Sequence, residues 1–115
     1  MKAWMTFNPN CGTARNVRDM LRSRGIEPDI REYLKAPLTR DELAALLREM
    51  AVPAHTIVRW KEKDAVLTAG VNEASGDDAL LDAIAAQPVL LNRPIVRTAK
   101  GTKLCRPSEA VEALL

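Results

Sequence analysis

A chain of 115 residues, 47% hydrophobic and 28% charged, has the composition of one globular domain large enough to bury a core without staples. Its formal charge of +2 is too small to argue for nucleic acid or a membrane surface as partner, and no apolar run approaches the roughly 20 residues that cross a bilayer. One histidine and two distant cysteines supply neither a structural zinc site nor a disulfide scaffold, and this cysteine usage points to a reducing cytoplasm.

The N-terminus carries no signal-peptide pattern and leads straight into an alternating apolar run, Ala3 to Phe7, that reads as a strand. The loop Asn8-Pro9-Asn10-Cys11-Gly12 follows, and Thr13 is expected to open a helix as its capping residue. Val17, Met20 and Leu21 recur at helical spacing, and Gly25 supplies the stop. Ile26 to Tyr33 reads as a second strand with Ile30 pointing inward, although Pro28 predicts an edge position or a late start. With the helix as crossover, these two strands should pair in parallel.

Thr39-Arg40-Asp41-Glu42 matches the capping-box pattern, and Leu43, Leu46, Leu47 and Met50 continue it as an amphipathic helix. Pro53 can open a short helix carrying Ile57, Val58 and Arg59, and Lys61 to Ala65 reads as a brief turn of helix or loop. Ser75 is expected to cap a helix with Ala79, Leu80, Ala83 and Ile84 on its apolar face, closed before Pro88. Strand character returns at Val89-Leu90-Leu91 and at Ile95 to Thr98. Lys100-Gly101 is a hairpin signal returning Thr102 to Cys105, and Pro107 starts a last helix. The order β–α–β, helical block, β–β–α is that of an α/β, thioredoxin-like mixed sheet. It makes residues 1–115 a single domain, with a helical insertion of about 39–87 between strands two and three.

Cys11 falls in the strand-to-helix turn of that plan. A helix N-terminus carries roughly half a positive charge, which favours thiolate over thiol and attracts oxyanions; Gly12 permits close backbone approach. A lone cysteine is also often just a small buried hydrophobe, but Asn8, Pro9 and Gly12 are loop residues, where core thiols seldom lie. Cys105, on a strand, takes the buried role, and His55 reads as a partly exposed helical residue without a catalytic task.

Arg59, Arg93 and Arg106 fall at segment ends, the last two before Pro94 and Pro107. Guanidinium groups converging on one thiol would lower its pKa and bind a tetrahedral oxyanion, whereas 17 basic residues will also place some near any point by chance. Arg93-Pro94 is either a cis bond that bends Arg93 toward the cysteine loop or a plain strand-start proline, the latter slightly favoured by pattern. Arg15 either lines the same pocket or belongs to a solvated helix face, the latter favoured. Ala14 stands where a C-x-x-C dithiol would have its second sulfur, so Cys11 requires a second thiol from another molecule.

The motifs Asn8-Pro9-x-Cys11-Gly12-Thr13-x-Arg15-Asn16, Leu91-Asn92-Arg93-Pro94-Ile95-Val96 and Gly101-Thr102-Lys103-Leu104-Cys105-Arg106-Pro107-Ser108-Glu109 closely resemble the glutaredoxin-coupled arsenate reductases. Tyr33-Leu34, Pro37 and Arg40-Asp41-Glu42-Leu43 match as well, so the resemblance runs through nearly the whole chain in order. It implies a cytoplasmic enzyme that reduces arsenate to arsenite with no bound cofactor; no metal is expected, and a monomer is expected because nothing in the sequence calls for an obligate dimer. By resemblance, Cys11 attacks arsenic, Arg59, Arg93 and Arg106 bind the oxyanion, and Asn8, Gly12, Thr13, Arg15 and Pro94 support them. Glutathione is the implied co-substrate, forming a mixed adduct that glutaredoxin resolves. Well-studied members of that family carry histidine at the Phe7 position and serine at the Ala14 position. Their absence here implies a less acidic sulfur than in those members.

Two other classes fit parts of the pattern. Transcription regulators resembling this family bind RNA polymerase and sense oxidation through C-x-x-C, a pair that Ala14 breaks. A thiol transferase would keep Cys11 but has no use for three oxyanion-binding arginines.

Overall fold

The computed structural model describes all 115 residues, which divide into two compact units: Met1–Ala36 with Arg93–Leu115, and Pro37–Asn92. The second encloses the helical block read from the sequence.

In the first unit, strands β1 (Ala3–Thr6), β2 (Asp29–Arg31), β3 (Ile95–Thr98) and β4 (Gly101–Leu104) form one mixed sheet in the order β2-β1-β3-β4. β1 pairs in parallel with β2, Met5 opposite Ile30, and antiparallel with β3, Met5 opposite Val96. The hairpin β3–β4 closes with Thr98 opposite Gly101, whose φ of 144° suits a residue without a Cβ. β2 is the edge that Pro28 foretold, but only three residues long. Ile30, expected to face inward, is exposed, because a short edge strand has a neighbour on one side alone.

Helix α1 (Gly12–Ser23) crosses over between β1 and β2 and buries Ala14, Val17 and Leu21. These residues share one core with Ala3, Met5, Phe7, Val96, Cys105, Val111 and Leu114. Alternation along β1 accounts for the strand's share: Ala3, Met5 and Phe7 point to the same face. The closing segment Ser108–Leu114 is a 3₁₀ helix rather than an α-helix, and Pro107 precedes it as the cap. It is anchored by the Thr98 hydroxyl donating to Leu114 O at 2.8 Å and by the exposed Arg24–Glu112 ion pair.

The second unit contains α2 (Arg40–Met50), α3 (Lys63–Ala69) and α4 (Asp77–Ala86). The capping box of α2 is complete: Thr39 Oγ1 accepts from the Glu42 amide at 3.1 Å, and Glu42 Oε1 accepts from the Thr39 amide at 2.9 Å. α2 and α4 pack together with Leu43, Leu46, Leu47, Leu80, Leu81 and Ile84 buried, while Arg40 bridges Asp78 and Asp82 on the exposed rim.

Three expectations in this unit are corrected. Gly76, not Ser75, caps α4; Ser75 instead accepts the Asn72 amide within the preceding loop. Ala79 is exposed and Leu81 is buried instead, at the opposite margin of a face on which Leu80, Ala83 and Ile84 lie as expected. Lys61–Ala65 runs into α3, in keeping with the turn of helix read there, but Val89–Leu91 is not a strand: Pro88–Leu90 is a 3₁₀ turn, and Leu91 makes only an isolated antiparallel bridge with Val58. A short apolar run beside proline has too little length to separate the two states by periodicity. No helix is long and apolar enough to cross a membrane.

Candidate active site

The loop between β1 and α1 is built by its own side chains. Asn8, nearly buried, accepts the Asn10 amide through its side-chain oxygen at 2.9 Å, and its carbonyl accepts the Cys11 amide at 2.9 Å. This asparagine-led turn reverses the chain so that Cys11 arrives as the residue capping α1. The cap expected at Thr13 is thus displaced: Gly12 is the first helical residue and Thr13 the second. Arg15, exposed, folds back and donates from Nη1 to Pro9 O at 2.7 Å, bracing the loop from outside. A Cβ on Gly12 would meet nothing closer than Arg15 Nη2 at 3.8 Å, so this glycine relieves no clash.

Cys11 is 7% exposed. Burial pushes its thiol pKa up, but three groups overcome that: the Ala14 amide in the first turn of α1, the Arg93 guanidinium as donor and as charge, and the Arg106 guanidinium as donor. The net direction is down, toward thiolate. The help from α1 comes through the Ala14 amide, which faces the sulfur from the first turn of the helix. Alanine at position 14 therefore still contributes, through its backbone. At position 7, Phe7 is buried and carries Arg18 over its ring, with Cζ 5.2 Å from the centroid, so a cation–π contact stands where a second polar group was missed.

Two of the three arginines meet at the sulfur. Arg106 Nη1 lies 3.8 Å from Cys11 Sγ and donates to Arg93 O at 3.1 Å. The Arg93-Pro94 bond is cis, as is Arg106-Pro107, and Pro94 is buried with its carbonyl accepting the Cys105 amide at 2.8 Å. Arg59 belongs to the second unit. Its 3₁₀ segment ends at Ile57, so Arg59 follows the helix rather than closing it. There its amide donates to Leu90 O at 2.7 Å and its Nε pairs with Glu62 at 3.3 Å.

The other thiol is different in kind. Cys105 is fully buried and desolvation pushes its pKa up to about 11, against a small opposing effect of Lys103. His55 is exposed and packs against Trp60 with the rings tilted by 38° and their centroids 4.9 Å apart. Sequence reasoning passed over Thr6, a fully buried hydroxyl that accepts the Ile95 amide at 2.9 Å. The available signal was a polar residue inside an otherwise apolar strand.

A mixed β2-β1-β3-β4 sheet, a cysteine at the start of the crossover helix and a cis-proline before the adjoining strand define the thioredoxin-like class. Within that class the family is specific. The family model described as ArsC family matches residues 7–114, and this chain belongs to the ArsC family. An arsenate reductase of Escherichia coli is 45% identical over 108 residues, covering 94% of this chain and 77% of its own. One of Rhizobium meliloti (strain 1021) is 42% identical over 115 residues, covering 100% of this chain and 82% of its own. Among solved structures, an arsenate reductase from Vibrio cholerae superposes with a TM-score of 0.91 at 29% identity, covering 100% of this chain and 98% of that one.

Proposed function

We propose that this protein is an oxidoreductase that reduces arsenate to arsenite, with Cys11 as nucleophile and Arg93 and Arg106 as oxyanion ligands. The observation that carries the reading is the pair of guanidinium groups acting on one thiol at a helix start. The family relationship supplies the substrate. Arg59 is kept as a third substrate-binding residue on the family resemblance alone.

The chemistry follows from charge. The Cys11 thiolate attacks arsenic; a sulfur–arsenic bond forms and one arsenic–oxygen bond breaks, the oxygen leaving with protons as water. Guanidinium groups stabilise the thiolate beforehand and the oxyanion afterwards, so they serve both ends of the step. With no second cysteine at Ala14, electrons come from outside the chain. A glutathione thiol displaces a second oxygen to give a mixed adduct. Attack by a glutaredoxin thiolate on the glutathione sulfur then leaves the sulfur–arsenic electron pair on arsenic, taking it from the +5 to the +3 state. Water releases arsenite and returns Cys11 as thiolate.

The test is a coupled assay in which purified protein, glutathione, glutaredoxin and glutathione reductase consume NADPH. Arsenate-dependent consumption that disappears in Cys11→Ser is the expected result. Absence of arsenate dependence in the wild type, together with retention on immobilised RNA polymerase, would overturn the reading in favour of a binding module.

A further inference from the structure

The Arg93-Pro94-Ile95 turn is held at three successive points, two by the segment that follows β4 and one by β1. Arg106 Nη1 donates to Arg93 O at 3.1 Å, the Cys105 amide donates to Pro94 O at 2.8 Å, and the Ile95 amide donates to Thr6 Oγ1 at 2.9 Å. The first two ties come from the segment after β4. Only the third comes from β1, the strand whose end leads through Phe7 and Asn8 to the cysteine loop. Thr6 is fully buried, as are Pro94 and Ile95, so neither end of this bond has water as a substitute. It stands one step beyond the Met5–Val96 pair, where β1 and β3 have their last registered contact.

We propose that Thr6 is a positioning residue for Cys11 and Arg93: its hydroxyl oxygen ties the turn that carries Arg93 to the strand that carries the cysteine loop. The inference rests on the reading of Cys11 as a thiolate nucleophile. Valine at this position keeps the volume and the β-branch while removing the acceptor, so the strand survives and the tie does not. Without it, Ile95 loses its anchor and Arg93, two residues earlier, loses its fixed distance to the sulfur.

The experiment compares Thr6→Val and Thr6→Ser with wild type, reading the rate of Cys11 alkylation against pH in the absence of arsenate. Thr6→Val is expected to raise the midpoint by about 0.5 pH unit or more. Thr6→Ser, which keeps the acceptor, should superimpose on wild type. In an Arg93→Ala background, Thr6→Val should add no further shift, since the group it positions has gone. In the coupled assay the Thr6→Val defect should appear as an arsenate KM raised about threefold to tenfold.

A Thr6→Val protein with a lower melting temperature but the wild-type alkylation profile would overturn the proposal and leave Thr6 a purely structural residue. An equal shift in the Arg93→Ala background would do the same. If Thr6→Val does not fold, hydrogen exchange at the Ile95 amide decides: slow exchange in wild type and in Thr6→Ser is required, and fast exchange sinks it. Because the alkylation arm contains no arsenate, failure of the arsenate reading leaves this comparison intact.

Discussion

Arg106 Nη1 and Cys11 Sγ, 95 residues apart in the chain, lie 3.8 Å from each other, and the same nitrogen donates to the Arg93 carbonyl at 3.1 Å. One guanidinium therefore touches the sulfur and also holds the backbone of the second guanidinium that acts on it. The two arginines are coupled, and their removal should not be additive.

Alkylation of native protein should report a Cys11 midpoint below the ordinary thiol value of about 8.5, and Arg93→Ala or Arg106→Ala should each move it upward. The sign for stability follows from the same lowering. The folded thiol loses its proton at lower pH than the unfolded one, so its contribution is complete above the unfolded pKa and is lost as pH falls through the folded one. Urea unfolding should show stability rising with pH across that window. A flat profile, matching that of Arg93→Ala, would contradict it.

The two thiols should separate cleanly. In native protein one thiol reacts with iodoacetamide near neutral pH, while Cys105, buried and with its pKa raised to about 11, reacts only after denaturation. Cys11→Ser should abolish arsenate-dependent turnover, and Cys105→Ser should keep most of it. Loss of turnover in a well-folded Cys105→Ser would count against a solely structural role for that sulfur.

Arg93→Ala should impair arsenate use more than Arg15→Ala. Arg93 acts on the sulfur directly, whereas Arg15 braces the loop through the Pro9 carbonyl at 2.7 Å from an exposed position. Expected losses in kcat/KM are about 100-fold or more for Arg93→Ala and about tenfold or less for Arg15→Ala, in line with removing a charged donor as against an exposed hydrogen bond. Equal small effects from both would refute this division of roles.

In the second unit, Thr39→Ala breaks one side of the α2 capping box and should cost about 1 kcal/mol, read from urea unfolding. Glu42→Ala removes the reciprocal bond to the Thr39 amide, and the double variant should lose less than the sum, because the two bonds support one helix end.

Much of this protein was readable without coordinates because its signals are local. The capping box at Thr39 and Glu42, the helical spacing of Val17 and Leu21, the Lys100-Gly101 turn and the edge position implied by Pro28 each depend on a few neighbouring residues obeying a short geometric rule. So does the placement of Cys11 between a strand and a helix. The errors were local too: Ala79 for Leu81, Ser75 for Gly76 and a strand at Val89–Leu91 are slips of boundary or state, where a brief apolar run satisfies two rules at once.

What the sequence determined by itself was the order of elements and the chemical types available: one thiol at a helix start, arginines beside prolines, and no neighbouring sulfur. Tertiary structure alone decided that Arg93 and Arg106 meet at that thiol and that Thr6 secures Ile95. The physical reason is range. Periodicity and capping act within a turn or two of chain, whereas the sulfur's charge state depends on atoms brought together from positions 11, 93 and 106 by strand pairing, and no local pattern encodes those distances.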